Sequence, residues 1–193
     1  MGKGLLDILY ELLTSPSKAL LEVSKGKPLG RSILTAVFIA IVLAFSFLPN
    51  PPELIELIFD RERGSFNLAL AVFLWVIIFL AALFIEGGIF HVIARLLRGQ
   101  GSYPGMVCGL CFACFPFVLF APLAFMRALL GTSGPVFYSI AYPIPFFWVF
   151  YLAVKTTRIN YNFSSRRAIA VYFIPGILLI VFPLLVITVL IPL

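Results

Sequence analysis

The sequence contains little charge and few of the residue types on which enzyme chemistry depends. Only 11% of its 193 residues are charged, whereas a soluble domain carries about a quarter. Its single histidine cannot form the two-histidine zinc motifs of metalloproteases, and a glycine-rich phosphate loop followed by Lys-Ser or Lys-Thr is missing. The two aspartates, Asp7 and Asp60, lie outside the apolar stretches and cannot form an intramembrane dyad. These absences exclude a soluble globular protein, and we expect no enzymatic activity.

Long apolar stretches make up most of the chain. Hydrophobic residues account for 62% of it, and the mean hydropathy is +1.12. Five charge-free stretches are each long enough to cross a bilayer as a helix, which needs about 20 apolar residues. We therefore predict an all-α integral membrane protein in which residues 32–193 form one domain of five transmembrane helices. The predicted spans are residues 32–49, 66–86, 106–126, 136–154 and 168–191.

Residues 1–31 precede the first predicted span and have an amphipathic pattern. The leucines and isoleucine of residues 5–13 fall on one side of a 3.6-residue period, with polar residues opposite. Ser15-Pro16 is typical of the start of a second short helix, which Gly26 can end. We predict a leader of two short amphipathic helices at the cytoplasmic side. They would lie in the headgroup plane or pack on the ends of the bundle, and the pattern leaves both open.

The distribution of lysine and arginine predicts how the chain lies in the membrane. Five basic residues precede the first span, two lie in the second loop and four in the fourth loop. The first and third loops carry only two and one. Since basic residues accumulate on the cytoplasmic side, we expect a multi-pass protein of the cell membrane with its N-terminus in the cytoplasm and its C-terminus outside.

Prolines and small residues predict irregular, closely packed helices. Each proline removes a backbone donor that lipid cannot replace, so kinks are expected within the spans. The prolines concerned are Pro116, Pro122, Pro143, Pro145, Pro175 and Pro183. Gly105, Gly109 and Ala113 lie four residues apart in the third span and would let a neighbouring helix approach closely. This packing seam would lie within the bundle or between two protomers, so homo-oligomerisation stays open.

Glu86 is the one ionisable group inside an apolar region and therefore a candidate functional or structural charge. On a continuous helix His91 lies about 140° around the axis from it, too far for one catalytic cluster. With the span ending at residue 86, we expect the carboxylate near the cytoplasmic interface, within reach of Lys155 or Arg167. A structural ion pair is the leading interpretation, and a proton or ligand site is the second.

The cysteines do not indicate a cofactor. Cys108, Cys111 and Cys114 are spaced like part of an iron-sulfur ligand run, but Val118 stands where a fourth ligand would be needed. Buried apolar thiols are the better interpretation. We therefore expect neither a metal nor any other cofactor.

Three segments carry a family pattern. Residues 12–20, LLTSPSKAL, precede the first span. Residues 94–103, ARLLRGQGSY, combine a helix end with a Gly-x-Gly-Ser-Tyr turn, and an apolar run then reaches Pro116. Residues 148–154 are followed by a polar loop and Arg167-Ala168-Ile169. In these features the chain resembles the Yip family, the Ypt- or Rab-interacting membrane proteins, and particularly its short prokaryotic members.

This resemblance implies a five-helix YIP-domain fold and a non-enzymatic role in the membrane. The chain departs from the family at Gly109-Leu110-Cys111, where a Gly-Tyr-like pair is expected. It also lacks the long acidic N-terminal region, with its Asp-Leu-Tyr-Gly-Pro motif, of eukaryotic relatives. Since that region is tied to trafficking partners, the resemblance does not carry Rab binding over to this chain.

From these features we predict a membrane adaptor or organiser that acts through its basic cytoplasmic face. Its partners would be the bilayer, with anionic headgroups, and a membrane or membrane-associated protein, but no nucleic acid. The candidate interaction residues are Arg95, Arg98, Gly99, Gly101, Ser102, Tyr103, Arg166 and Arg167. The alternative function is a transporter of a small solute or lipid that uses the proline-broken helices and Glu86.

Overall fold

The computed structural model describes residues 4–47 and 64–175, and this part of the chain is helical with no strand. The helices are α1 (Leu5–Thr14), α2 (Pro16–Gly26), α3 (Leu29–Phe47), α4 (Gly64–Leu96), α5 (Tyr103–Ala113), α6 (Phe120–Leu129), α7 (Gly134–Ala141), α8 (Pro143–Tyr161) and α9, which is helical over 165–175. Two short 3₁₀ segments, Phe115–Leu119 and Gly131–Ser133, join α5 to α6 and α6 to α7.

Four helical segments are long and apolar enough to cross a membrane: Leu29–Ser46, Leu68–Leu96, Tyr103–Leu129 and Gly131–Tyr161. An all-helical protein with several spans is thereby confirmed. The fifth predicted span, residues 168–191, begins in α9 and lies mostly outside the described residues. The count of five therefore stays a prediction.

Helix α4 continues for ten residues beyond 86, the predicted end of the second span, so the helix and the predicted span do not end together and the span boundary stays a prediction. The prediction ends the span at its first charge, Glu86, but the helix continues to Leu96. The helix is continuous through Gly87, where the missing side chain makes room for α5. A Cβ at Gly87 would lie 3.0 Å from Val107 Cγ2. Glu86 therefore lies about 15 Å along the axis from the end of α4, not beside it.

The predicted interruption of the third and fourth spans is confirmed at two places. Pro116 lies in the 3₁₀ segment between α5 and α6, where the α-helical hydrogen bonds are interrupted. In the next span α7 ends at Ala141, and α8 begins at Pro143 with Pro145 in its first turn. Of the other prolines, Pro183 lies outside the described residues.

Helix α5 is the centre of the bundle. All residues from Gly105 to Ala113 are buried, and α2, α3, α4 and α8 pack around them. Because so many elements meet on this short helix, it carries small residues and cysteines rather than large aromatics over most of its length. The outward sides of α4 and α8 expose large apolar side chains, as helices that face lipid do.

The leader helices pack on this bundle. Helix α2 contacts α5 and α8 and buries Ala19, Leu20 and Val23, each 1–2% exposed. Helix α1 packs against α2 and buries Ile8 and Leu12. Of the two placements that the sequence left open, these contacts support packing on the bundle ends. The boundary predicted at residue 31 therefore separates segments that share one core.

Candidate functional site

The turn after α4, which holds most of the candidate interaction residues, is a tightly closed helix end. The Gly99 N–H donates to the Ala94 carbonyl at 2.8 Å, and Arg98 has a left-handed backbone with φ 62°. This pattern is a Schellman motif, which satisfies carbonyl groups at a helix end. Gly99 is buried, and a Cβ there would lie 2.7 Å from Phe163 Cζ. Only glycine therefore fits at this position.

The end of α8 closes in the same way and meets the turn. The Phe163 N–H donates to the Arg158 carbonyl at 2.9 Å, and Asn162 has φ 56°. The Phe163 ring stacks on Tyr161 with centroids 5.8 Å apart. Two capped helix ends, distant in sequence, thus contact each other through Gly99, Tyr161 and Phe163.

Asn160 joins three segments through its side-chain amide. Its Nδ2 donates to the Ser102 carbonyl at 2.9 Å, and its Oδ1 accepts from Ser24 Oγ at 3.0 Å. Ser102 in turn caps α5, because its Oγ accepts from the Gly105 N–H at 3.3 Å. The network therefore holds the leader helix α2, the turn after α4 and the end of α8 together.

The predicted small-residue seam lies against α8 of the same chain. A Cβ at Gly101 or Gly105 would collide with Asn160, and one at Gly109 with the Thr156 side chain. Ala113 is fully buried one turn farther along α5. Gly105 and Gly109 therefore pack within the bundle, which answers the question that the sequence left open for these positions.

Tyr103 points into the bundle. Its hydroxyl donates to the Phe84 carbonyl of α4 at 3.1 Å, and its ring lies edge-on to His91 with centroids 6.0 Å apart. His91 Nδ1 shares a 2.6 Å hydrogen bond with the buried Tyr161 hydroxyl. Tyr103, predicted to contact a partner, thus attaches α5 to α4, and the bond between His91 and Tyr161 attaches α8 to α4.

The four candidate arginines differ from these packed residues, since Arg95, Arg98, Arg166 and Arg167 are all exposed. Arg95 Nη1 lies 3.5 Å from the Gly99 carbonyl, and the other three extend from the turn after α4 and from α9. We call these four residues the basic surface. The glycines, Ser102 and Tyr103 form the support beneath it.

A second site lies deeper, where Glu86 lines a cavity of about 260 Å³ between α4, α5, α8 and α9. The other lining residues are Phe79, Ala82, Leu83, Leu110, Ala113, Cys114, Phe117, Phe146, Val149, Phe150, Ala153 and Tyr172. Lys155, one predicted partner of Glu86, donates instead to the Tyr151 hydroxyl at 2.7 Å and lies 4.9 Å over its ring. The other, Arg167, is exposed. Within the part of the chain that the structure describes, the predicted ion pair is not formed.

The family assignment follows from comparison with known proteins. The Yip1 domain model matches residues 10–187, nearly the whole chain. The chain belongs to the Yip1-domain family. This confirms the resemblance inferred from the sequence, and with the apolar helices it identifies a multi-pass membrane protein. No match was found among curated proteins or among solved structures.

The cysteines of this Yip1 domain are free and buried in α5 and at its end. Within the described residues no group of three cysteine, histidine or acidic side chains is placed to hold a metal ion. The thiols contribute to the close packing of α5 among its neighbours.

The residue at the centre of the polar network, Asn160, is not among the residues predicted from the sequence. The available signal in the sequence is the polar run at residues 155–162, directly after the fourth apolar stretch. Polar residues at the end of an apolar helix are candidates for hydrogen bonds to neighbouring segments. The partners themselves, Ser24 and Ser102, are 136 and 58 residues away, beyond the range of any local pattern.

Proposed function

We propose that this Yip1-domain protein is a membrane adaptor or organiser whose basic surface binds a membrane-associated protein on the cytoplasmic side. The observation that supports the proposal is the Asn160 network. It fixes the helix ends beneath Arg95 and Arg98, so these charges are displayed on a rigid support and not on a loose loop. A preorganised surface loses less entropy on binding than a flexible one.

The charge of this surface favours an acidic partner. Arg95, Arg98, Arg166 and Arg167 carry four positive charges that are exposed to solvent. Anionic lipid headgroups would also be attracted, by about 1 kcal/mol for each charge near the membrane. We favour a protein partner over lipid, because Arg95 and Arg98 lie at a helix end that fixes the distance between their charges. Binding to a fluid lipid surface does not require a fixed distance. The match to the Yip1 domain does not favour the transport alternative.

Photo-crosslinking in native membranes tests the proposal. The crosslinking residue is introduced at Gln100, which is exposed beside Arg98, whereas Ser102 caps α5 and is unsuitable. We expect a protein adduct that falls at least about tenfold in yield when Arg95→Gln and Arg98→Asn are combined, as the loss of two surface charges predicts. Asparagine is chosen at Arg98 because it tolerates the left-handed backbone there.

The matched control is Arg127→Gln. Arg127 is also exposed but lies at the other end of the third span, 5.4 Å from the Tyr138 ring. Its neutralisation should leave the adduct unchanged. A protein adduct that persists in the Arg95/Arg98 variant would contradict the proposal, and capture of lipid alone would replace the protein partner with anionic headgroups.

A further inference from the structure

Glu86 lies in a candidate membrane span and lines an apolar cavity. It lies within the candidate span Leu68–Leu96, ten residues before the helix ends. A charge at this depth is costly unless something compensates it. In residues 4–47 and 64–175 no basic side chain forms an ion pair with it, and Lys155 is hydrogen-bonded to Tyr151 instead. The structure thus leaves this carboxylate facing a space of about 260 Å³.

Five of the thirteen residues that line the cavity are aromatic. Five rings line it, contributed by α4, the 3₁₀ segment, α8 and α9: Phe79, Phe117, Phe146, Phe150 and Tyr172. The face of an aromatic ring carries partial negative charge and attracts cations, most strongly those that are poorly hydrated. Rings from four elements around one carboxylate provide what an organic ammonium group needs, namely charge compensation and an apolar surround.

The same lining disfavours other ligand classes. Apart from Glu86, its side-chain polar groups are the Tyr172 hydroxyl and the Cys114 thiol. A phosphate or carboxylate would face the Glu86 carboxylate with no basic side chain in the wall, and a sugar would leave most hydroxyls without partners. An inorganic cation would lack the several oxygen ligands that hard cations require.

We propose that this cavity binds an organic cation whose ammonium nitrogen is enclosed by methyl or methylene groups. Glu86 supplies the counter-charge, and the rings contact the alkyl groups around the nitrogen. This site is separate from the basic surface, so neither proposal depends on the other.

Benzyltrimethylammonium is the probe, and its neutral carbon isostere, neopentylbenzene, is the comparison. Binding of each is followed by calorimetry on the full chain in lipid nanodiscs. We expect the cation to bind the wild type and to bind Glu86→Gln at least tenfold more weakly, with no such difference for neopentylbenzene. Equal binding of the cation to wild type and Glu86→Gln, or no binding to the wild type, would overturn the proposal.

A pair of aromatic variants keeps the test decisive if Glu86→Gln does not fold. Phe150→Leu removes a lining ring but keeps an apolar side chain, and it should weaken binding of the cation several-fold. Phe147→Leu is the matched control, because Phe147 lies earlier on the same helix, is 74% exposed and does not line the cavity. Equal effects of the two variants would argue against the site.

The cation could be a soluble amine or a choline headgroup, and nanodisc composition separates the two. If lipid is the natural source, phosphatidylcholine nanodiscs should lower the apparent affinity for benzyltrimethylammonium relative to nanodiscs of phosphatidylethanolamine, which has the same net charge but no methylated ammonium group. Equal affinity in both, still dependent on Glu86, would support a soluble amine.

Discussion

Gly109 illustrates how one missing side chain sets the distance between two helices. It is buried in α5, and a Cβ at this position would collide with Thr156 of α8. The Thr156 hydroxyl is itself buried without a hydrogen-bond partner, so this side chain is held in place by packing alone. The two helices therefore approach closely at this contact, and the Thr156 hydroxyl is buried there without forming a hydrogen bond.

Gly109→Ala should lower the free energy of unfolding by about 1–3 kcal/mol, since overpacking forces the two helices apart. Gly30→Ala is the control, because Gly30 is also helical but a Cβ at that position would have no other atom within 4 Å, and we expect a change below about 1 kcal/mol. Thr156→Ala should rescue Gly109→Ala by removing both the colliding methyl group and the unpaired hydroxyl. Unfolding curves of purified protein in detergent measure all three, and failure of the rescue would show that the loss comes from elsewhere.

The seam and the Glu86 site differ in how far the sequence could predict them. Small residues four positions apart identify a close helix contact from a local pattern, and the structure places Gly105 and Gly109 in one. The depth of Glu86 could not be predicted in this way, because a boundary drawn from charge alone ends the span at that residue. Whether a carboxylate marks the end of a span or lies within it depends on the surroundings that other helices provide. Five of the residues that line the cavity beside Glu86 come from α8 and α9.

At the scale of elements, the docking of α2 on α5 and α8 is the contact that connects the leader to the membrane domain. Its apolar part consists of Ala19, Leu20 and Val23, and its polar part is the hydrogen bond from Ser24 to Asn160. The amphipathic pattern predicts a helix here but not its partner. By its pattern alone, a helix with one apolar side could pack on lipid or on protein. The hydrogen bond from Ser24 to Asn160 is specific to packing on protein.

Ser24→Ala should therefore loosen α2 without unfolding the bundle. We expect a loss of about 1 kcal/mol, the usual value for one hydrogen bond, seen as faster amide exchange in α2 and unchanged exchange in α5. Asn160→Ala should have a larger effect, because it also leaves the Ser102 carbonyl without its donor.

The double variant tests whether the two residues act together. If Ser24 and Asn160 form one contact, Ser24→Ala should add little in the Asn160→Ala background. Ser17→Ala, at an exposed position of the same helix, should change neither amide exchange nor stability. Additive effects of Ser24→Ala and Asn160→Ala would contradict a shared network.

For the whole molecule, the arrangement of charge predicts one orientation in the membrane. The elements that the Asn160 network joins, namely α2, the turn after α4 and the end of α8, must lie on the same side, because their hydrogen bonds connect them directly. These elements and the start of α9 carry the exposed Arg98, Arg158 and Arg166, whereas Arg127 lies at the opposite end of the third span. Structure and charge count thus divide the chain in the same way, and basic residues favour the cytoplasmic side.

Cysteine labelling in intact cells tests this orientation. Gln100 and Thr132 are both exposed and lie at opposite ends of the span Tyr103–Leu129. The native cysteines are at most 6% exposed, so they should give little background with a membrane-impermeant maleimide. We expect Thr132→Cys to be labelled in intact cells and Gln100→Cys only after the membrane is opened. The reverse pattern would put the basic surface outside the cell and remove the basis for a cytoplasmic partner. It would not affect the proposed cation site, because Glu86 lies within the candidate span Leu68–Leu96 in either orientation.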